Sequence, residues 1–128
     1  MERGTYIEKI ISSKSEMDKL ILALKKYTYD SLKKTAHCEL SIMEKGVNED
    51  FLRKTFIEFN RIKLISLRKR KSGRENYDFY YLMDDMTYVL YAINITKDPP
   101  ILINAIHASM NFENFKKSLF KINKDKVV

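Results

Sequence analysis

Apolar residues recur at three- and four-residue steps along much of the chain, and this spacing predicts helices. The longest series contains Met17, Leu20, Ile21, Leu24, Tyr27, Leu32, Ala36, Leu40 and Met43. Such steps place side chains on one face of a helix. Ser15 precedes the series with a residue type that caps helix N-termini, and Gly46 follows it with one that ends helices. We therefore predict a long helix between these two residues, after a short one that Thr5 and Glu8 cap and that ends near Ser12.

The next segment predicts a third helix, from Asn48 to about Arg70. Asn48 is a favourable N-cap, and Glu49 and Asp50 follow it in the first turn, where acidic groups stabilise the helix dipole. The break comes at residues 71–73, which read Lys-Ser-Gly.

Two apolar stripes run through residues 77–95 and predict a fourth helix that is packed on both sides. One stripe contains Phe79, Leu82, Met83, Met86, Val89, Leu90 and Ile93, and the other contains Tyr77, Tyr81, Tyr88 and Tyr91. The spacing of the first is close to a heptad repeat. The tyrosines are expected mainly in the core, with stacking on nucleic-acid bases as the alternative.

The remaining segments complete an all-α prediction. Pro99-Pro100 marks a boundary before a fifth helix through His107, and Asn111 caps a last helix that contains Phe112, Phe115, Leu119, Phe120 and Ile122. Only 3 Gly and 2 Pro occur in 128 residues, which favours long helices over a turn-rich sheet. We predict one domain over residues 1–128, an all-α compact bundle of five to six helices.

Positive charge is concentrated in one short window. Residues 1–60 carry 11 basic and 10 acidic residues, and residues 75–128 carry 6 and 7. Residues 61–74 carry 7 basic and no acidic residues, so this window holds the whole net charge of +7. Several cations acting together favour a polyanion, because each phosphate contact releases counterions. A solvated helix face is the plainer explanation.

On a helical wheel the cations of the third helix separate from its apolar side. Arg53, Lys54, Asn60, Arg61, Arg68 and Lys71 fall opposite the face that contains Phe51, Leu52, Phe56 and Phe59. Six such positions over about 18 residues span roughly 27 Å of helix, which suits several successive phosphates. Ile57 and Leu64 lie within the polar side, either as isolated exposed residues or as a contact with another subunit.

Catalytic constellations are not visible in the sequence. The chain has one cysteine, Cys38, and two histidines, His37 and His107, which is too few for an ordinary zinc site. No glycine-rich phosphate loop or Gly-x-Ser-x-Gly occurs. We therefore expect no enzyme activity, no metal, no cofactor and no small-molecule substrate. The lone cysteine and the absence of a signal peptide or a membrane-spanning segment predict a cytoplasmic protein without membrane contact.

One part of the chain resembles a known family. Val47-Asn48-Glu49-Asp50-Phe51-Leu52-Arg53 followed by Glu58-Phe59-Asn60-Arg61-Ile62 resembles the small helical subunit of type III-A CRISPR effector complexes, the Csm complexes. Asn60 stands seven residues after Arg53, as in that family. The segment from Tyr80-Tyr81 to Tyr91-Ala92 and the segment from Phe112 to Phe120 look like its later helices. The family has Thr-Thr-Ser-like residues where this chain has Asn48-Glu49-Asp50.

The resemblance implies a non-catalytic subunit of an antiviral ribonucleoprotein that contacts the backbone of crRNA and target RNA and packs against further copies of itself and other effector subunits. Arg53 and Arg61 are then RNA contacts, with Asn60 as a hydrogen-bonding partner. The charge pattern adds further candidates to this RNA-binding set: Lys54, Arg68, Lys69, Arg70, Lys71 and Arg74.

Two other functions remain open. One is a helical adaptor that binds an acidic protein partner through the same basic window. The other is a DNA-binding helix-turn-helix built from Ile101–His107 and Phe112–Ile122, although the second of these segments offers few base-reading side chains.

Overall fold

The computed structural model of the protein describes residues 6–70 and 72–128, and it is a mixed α/β fold. The strands are β1 Tyr6–Ile11, β2 Lys33–Lys34, β3 Ile62–Lys69, β4 Glu75–Asp84, β5 Thr87–Asn94 and β6 Ile101–Ser109. The helices are α1 Lys14–Leu24, α2 Ala36–Lys45, α3 Glu49–Phe56 and α4 Phe112–Ile122. The prediction of an all-α bundle is therefore wrong.

A single six-stranded sheet organises the chain, in the order β1-β3-β4-β5-β6-β2. Neighbouring strands are antiparallel except for the short β2, which pairs with β6 in parallel. The four long strands are joined in chain order by hairpins or a short loop, so the centre of the sheet is a meander. Near the end of β1, Ile10 also forms a parallel bridge with Val127, which brings the C-terminal segment to that edge.

Helices α1, α2 and α3 cover one face of the sheet, and we call this the three-helix face. Its core includes Leu24, Ile42 and Phe56 from the helices and Phe79 and Tyr91 from the strands. Two buried tyrosines also satisfy backbone carbonyls near the end of α3. The Tyr81 hydroxyl donates to the Phe56 carbonyl at 2.8 Å, and the Tyr91 hydroxyl donates to the Leu52 carbonyl at 2.7 Å. These bonds fix α3 against the sheet and give both tyrosine hydroxyls a partner.

Helix α4 covers part of the opposite face, which we call the α4 face. Phe112 and Phe115 contact Tyr80 and Tyr88, and the Phe115 ring stacks on Tyr88 with centroids 5.4 Å apart. The Asn111 side chain accepts a hydrogen bond from the Asn114 N–H. The predicted cap is confirmed, and so are the apolar residues Phe112, Phe115, Leu119 and Phe120, whereas Ile122 is exposed.

Two other helix-end predictions are also confirmed. Gly46 follows α2 with φ of 63°, the left-handed conformation that favours glycine. The Asn48 side chain accepts hydrogen bonds from the N–H groups of Asp50 and Phe51 and so begins α3. The predicted single helix from Ser15 to Gly46 is instead two helices, because residues 25–35 form turns and β2.

The predicted fourth helix is wrong, since residues 77–95 form β4, a turn at Asp85–Met86 and β5. Side chains alternate between the faces, and both faces are covered over much of β4. Tyr81 therefore lies in the core of the three-helix face, whereas Tyr80 lies in the core of the α4 face. A strand buried on both sides shows no polar alternation, and its apolar run matches a helix pattern equally well.

Three further predictions fail for related reasons. Helix α3 ends at Phe56, and residues 62–69 of the predicted basic helix form β3 instead. Ile101–Ser109 is β6, which excludes both the fifth helix and the helix-turn-helix. The predicted first helix overlaps β1, while its proposed cap Thr5 lies outside the described residues.

Candidate functional site

The α4 face divides into an apolar half and a polar half. Residues paired across antiparallel strands share a face, so the register defines rows across the sheet. One row reads Leu64, Tyr80, Leu90 and Ile106, the next reads Ser66, Asp78, Ala92 and Asn104, and the third begins with Arg68 and Asn76. Helix α4 packs on the first row, and the other two lie toward the β3–β4 hairpin.

A buried polar cluster forms the floor of the polar half. Asp78 is 2% exposed and accepts hydrogen bonds from Arg68 Nε at 3.0 Å and from Asn76 Nδ2 at 2.8 Å. Burial raises the pKa of the Asp78 carboxyl, while Arg68 and Asn76 act in the opposite direction. These bonds hold Arg68 and Asn76 in fixed positions, which is how a polar surface is preorganised for a ligand.

A cleft of about 910 Å³ opens beside this cluster. Its lining comes from five neighbouring parts of the fold, in order across the sheet. The residues are Arg70 after β3, Arg74, Glu75 and Asn76 at β4, Asn94 of β5 with Lys97 beyond it, Ile101 and Ile103 of β6, and Thr35 and His37 at the start of α2. The cleft therefore combines cationic, amide and apolar surfaces.

The cations of the cleft outnumber its single carboxylate. Arg70, Arg74 and Lys97 line it together with Glu75, whose carboxylate lies 3.9 Å from Lys69 Nζ. Arg74 and Lys97 are exposed, and neither forms an ion pair within the described parts of the chain. Two charges are thus free to meet an anionic ligand at the mouth of the cleft.

The cations predicted on one helix face are distributed over different parts of the fold. Arg53 and Lys54 lie on α3 and so on the three-helix side. Arg53 pairs with Asp30 at 2.8 Å and with Asp50 at 2.6 Å, and the Asp30 hydrogen bond raises the pKa of the arginine. Lys54 is exposed. The helical wheel that joined these residues to Arg68 does not apply, because the helix ends at Phe56.

Ion pairs within the fold also engage two other residues that were predicted to contact RNA. Arg61 lies in the short 3-10 turn Phe59–Arg61, pairs with Glu58 at 2.9 Å and donates to the Leu82 carbonyl at 3.4 Å. Lys69 lies between Glu8 at 3.8 Å and Glu75 at 3.9 Å. Asn60 is exposed in the same turn as Arg61, and Lys71 lies outside the described residues. Of the predicted residues that the structure describes, Arg68, Arg70 and Arg74 lie on the polar half of the α4 face.

Sequence reasoning missed Asn76, Asn94, Lys97, Ile101 and Ile103 as members of the site. They all lie near the end of the sheet where β3 ends and β4 begins. This shared location can be deduced only from the strand register. A strand reading of residues 75–84, with its run of tyrosine and phenylalanine, would have placed Asn76 and Asp78 on one face.

Two apolar predictions are resolved by burial. Leu64 is 1% exposed within the α4-face core, so both interpretations of it, an isolated exposed residue and a contact with another subunit, are wrong. Ile57 is 57% exposed after α3, and both interpretations stay open for it. In the predicted tyrosine stripe Tyr81, Tyr88 and Tyr91 are buried, so the expectation of core tyrosines is confirmed for these three and base stacking on them is excluded, while Tyr77 is partly buried.

Metal-binding clusters, membrane-spanning helices, the cysteine and similarity to known proteins were considered as further indications of function. Within residues 6–70 and 72–128, no three His, Cys, Asp or Glu side chains cluster as a metal site would require, and no helix has the length and apolar character to cross a membrane. Cys38 is buried, and this burial raises the pKa of its thiol to about 11. Comparison of the chain with protein-family models, curated proteins and solved structures found no significant match.

Proposed function

We propose that the protein is a non-catalytic RNA-binding module whose binding site is the polar half of the α4 face. The observation that supports this most is the cleft itself, with Arg70, Arg74 and Lys97 around a floor organised by Asn76 and its partner Asp78. Phosphates are the anions that such a set of separated cations suits best, because each cation takes one phosphate contact.

The cluster beneath the cleft supports binding rather than catalysis. Arg68 is committed through Nε to Asp78, whose carboxylate is almost fully buried. A buried carboxylate of this kind orients its neighbours, whereas a general base must reach the proton that it removes. We therefore assign Asp78 a positioning role and Arg68 the role of a rigid cation at the edge of the site.

The sequence suggested two narrower functions, a CRISPR effector subunit and an adaptor for an acidic protein, and the structure bears on them differently. The helical fold that the CRISPR resemblance implies is wrong, and its matched segments 80–92 form strands, so membership of that complex stays a prediction without structural support. An acidic protein partner would meet the same cations. The amide and isoleucine surfaces beside them favour a ligand with base and sugar as well as charge.

The test is fluorescence anisotropy of a labelled single-stranded oligoribonucleotide over a salt series. The wild-type protein should lose affinity steeply with salt, with a slope near the number of phosphate contacts. The double variant Arg74→Gln/Lys97→Gln removes two exposed cations of the cleft. It should weaken binding and flatten the slope by roughly two units.

A matched control removes two cations elsewhere. Lys14→Gln/Lys19→Gln lowers the net charge equally, and both lysines are exposed on α1 of the three-helix side. This variant should retain the wild-type slope. Equal loss in the two variants would show that only net charge matters, and the absence of RNA binding at low salt, with binding of an acidic peptide instead, would contradict the RNA proposal.

A further inference from the structure

We propose that the cleft holds a single terminal nucleotide of the RNA, with the base against Ile101 and Ile103 and the phosphate toward Arg70 and Arg74. This inference rests on the proposed function and specifies what part of the RNA enters the site. It follows from the order in which cationic, amide and apolar side chains succeed one another across the sheet.

The order of chemistry follows the order of strands. Arg70 and Arg74 lie at the β3–β4 end of the cleft, Asn76 and Asn94 lie on the two central strands, and the isoleucines lie on β6. Adjacent strands are about 4.8 Å apart, so β4 and β6 are separated by about 10 Å. That is comparable to the distance from phosphate to base in one nucleotide, with sugar and base edges beside the amides.

The volume of the cleft and the residues at its far end favour one nucleotide over an RNA strand that passes through. Its volume of about 910 Å³ lies within the range of sites for small molecules. Beyond β6, Thr35 and His37 at the start of α2 form the far wall. An RNA strand that continued past the base would meet this wall. At the opposite end of the cleft the RNA can continue from the phosphate.

The experiment measures competition against the labelled oligoribonucleotide by nucleoside monophosphates, inorganic phosphate and free nucleosides. We expect the monophosphates to compete at least about tenfold better than inorganic phosphate or the nucleosides, because only they fill both ends of the cleft. Ile103→Trp fills the base end without removing a cation. It should weaken monophosphate competition by about tenfold or more. Ile57→Trp makes the same change at an exposed position after α3 and should leave competition unchanged.

The outcomes separate this inference from the proposed function. Salt-dependent oligonucleotide binding that monophosphates do not displace would overturn the single-nucleotide cleft and leave the RNA proposal standing. Monophosphate binding without oligonucleotide binding would support the cleft and overturn the RNA proposal. Equal competition by phosphate and monophosphates, or no effect of Ile103→Trp in a variant whose circular dichroism shows a native fold, would overturn the assignment of the base to the isoleucines.

Discussion

The two halves of the α4 face are built on the same strands and have opposite chemistry. In the apolar half, Leu64 and Tyr80 are paired across β3 and β4 and are buried beneath α4. Four residues along the same strands, Arg68 and Asn76 are paired in the same way but face the polar half. A cross-strand pair is thus used once for apolar packing and once for holding polar groups, with Asn76 buried and Arg68 partly exposed.

This difference indicates how the fold leaves a site open. Helix α4 begins beside the β4–β5 turn, where the Phe112 N–H donates to the Asp85 carbonyl, and its C-terminal extension reaches β1 through the Val128–Ile10 backbone bond. The first anchor lies at the end of the sheet opposite to the β3–β4 hairpin, whereas Ile10 pairs with Ser66 near the middle of β3. Within the polar rows Ser66, Asn76 and Asp78 are buried, and the exposed cations of the cleft, Arg74 and Lys97, lie at its mouth.

The largest effect is expected from a change in the apolar half. Phe112 is 2% exposed, and its ring packs against the Tyr88 ring with the two centroids 6.0 Å apart. Phe112→Ala should reduce the free energy of unfolding by about 3 to 5 kcal/mol, since it removes a buried ring and leaves a cavity. Urea denaturation measures this loss. A reduction below about 1 kcal/mol would show that α4 is not part of the core.

An intermediate effect is expected at Tyr80, which lies at the boundary between the halves. Burial, and then the charge of Asp78, raises the pKa of its hydroxyl above the usual value. Because the folded pKa is raised, the stabilisation by the protonated hydroxyl is present below about pH 10 and is lost as the pH rises, when the unfolded tyrosine ionises. Tyr80→Phe removes this loss, so the free energy of unfolding of the wild type relative to Tyr80→Phe should fall by about 1 kcal/mol between pH 7 and about pH 11.

Urea denaturation at the two pH values checks the Tyr80 prediction. Tyr88→Phe provides a comparison on the next strand, under the same helix, where burial also raises the pKa of the hydroxyl. A rise in the stability of the wild type relative to Tyr80→Phe above pH 10 would contradict the assigned direction of the pKa shift.

The smallest effect is expected at Lys54, a candidate from the sequence that lies on α3 outside the cleft. Lys54→Gln removes an exposed charge on the three-helix side, so RNA affinity should change by less than about twofold. The same anisotropy assay measures it. A loss as large as that of Arg74→Gln would restore α3 as part of the binding surface.

Local signals in the sequence predicted helix ends better than the fold. Asn48, Gly46 and Asn111 were identified from residue type alone, because capping depends on a few adjacent atoms. Strands β4 and β5 were read as a helix because both of their faces are largely covered, so their apolar residues also match three- and four-residue steps. The enrichment in tyrosine, phenylalanine, valine and isoleucine was the signal for strands.

The candidate site was predictable only in part, because its members come from separate segments that only the tertiary structure brings together. The charge count singled out Arg68, Arg70 and Arg74, which the structure places on the polar half of the α4 face. It did not show that Arg53 and Arg61 are occupied by Asp30, Asp50 and Glu58, since these pairs depend on tertiary structure. Neither did it show that Lys97 reaches the same cleft from the β5–β6 connection.

The most direct test of the central claim is a two-dimensional NMR titration of the isotope-labelled protein with a short single-stranded oligoribonucleotide. We predict shift changes at the side-chain amides of Asn76 and Asn94 and along Ile101–Ile103, with little change on α3. Changes that concentrate on Arg53, Lys54 and the rest of α3, with the two asparagine amides unmoved, would contradict the assignment of the polar half of the α4 face as the binding site.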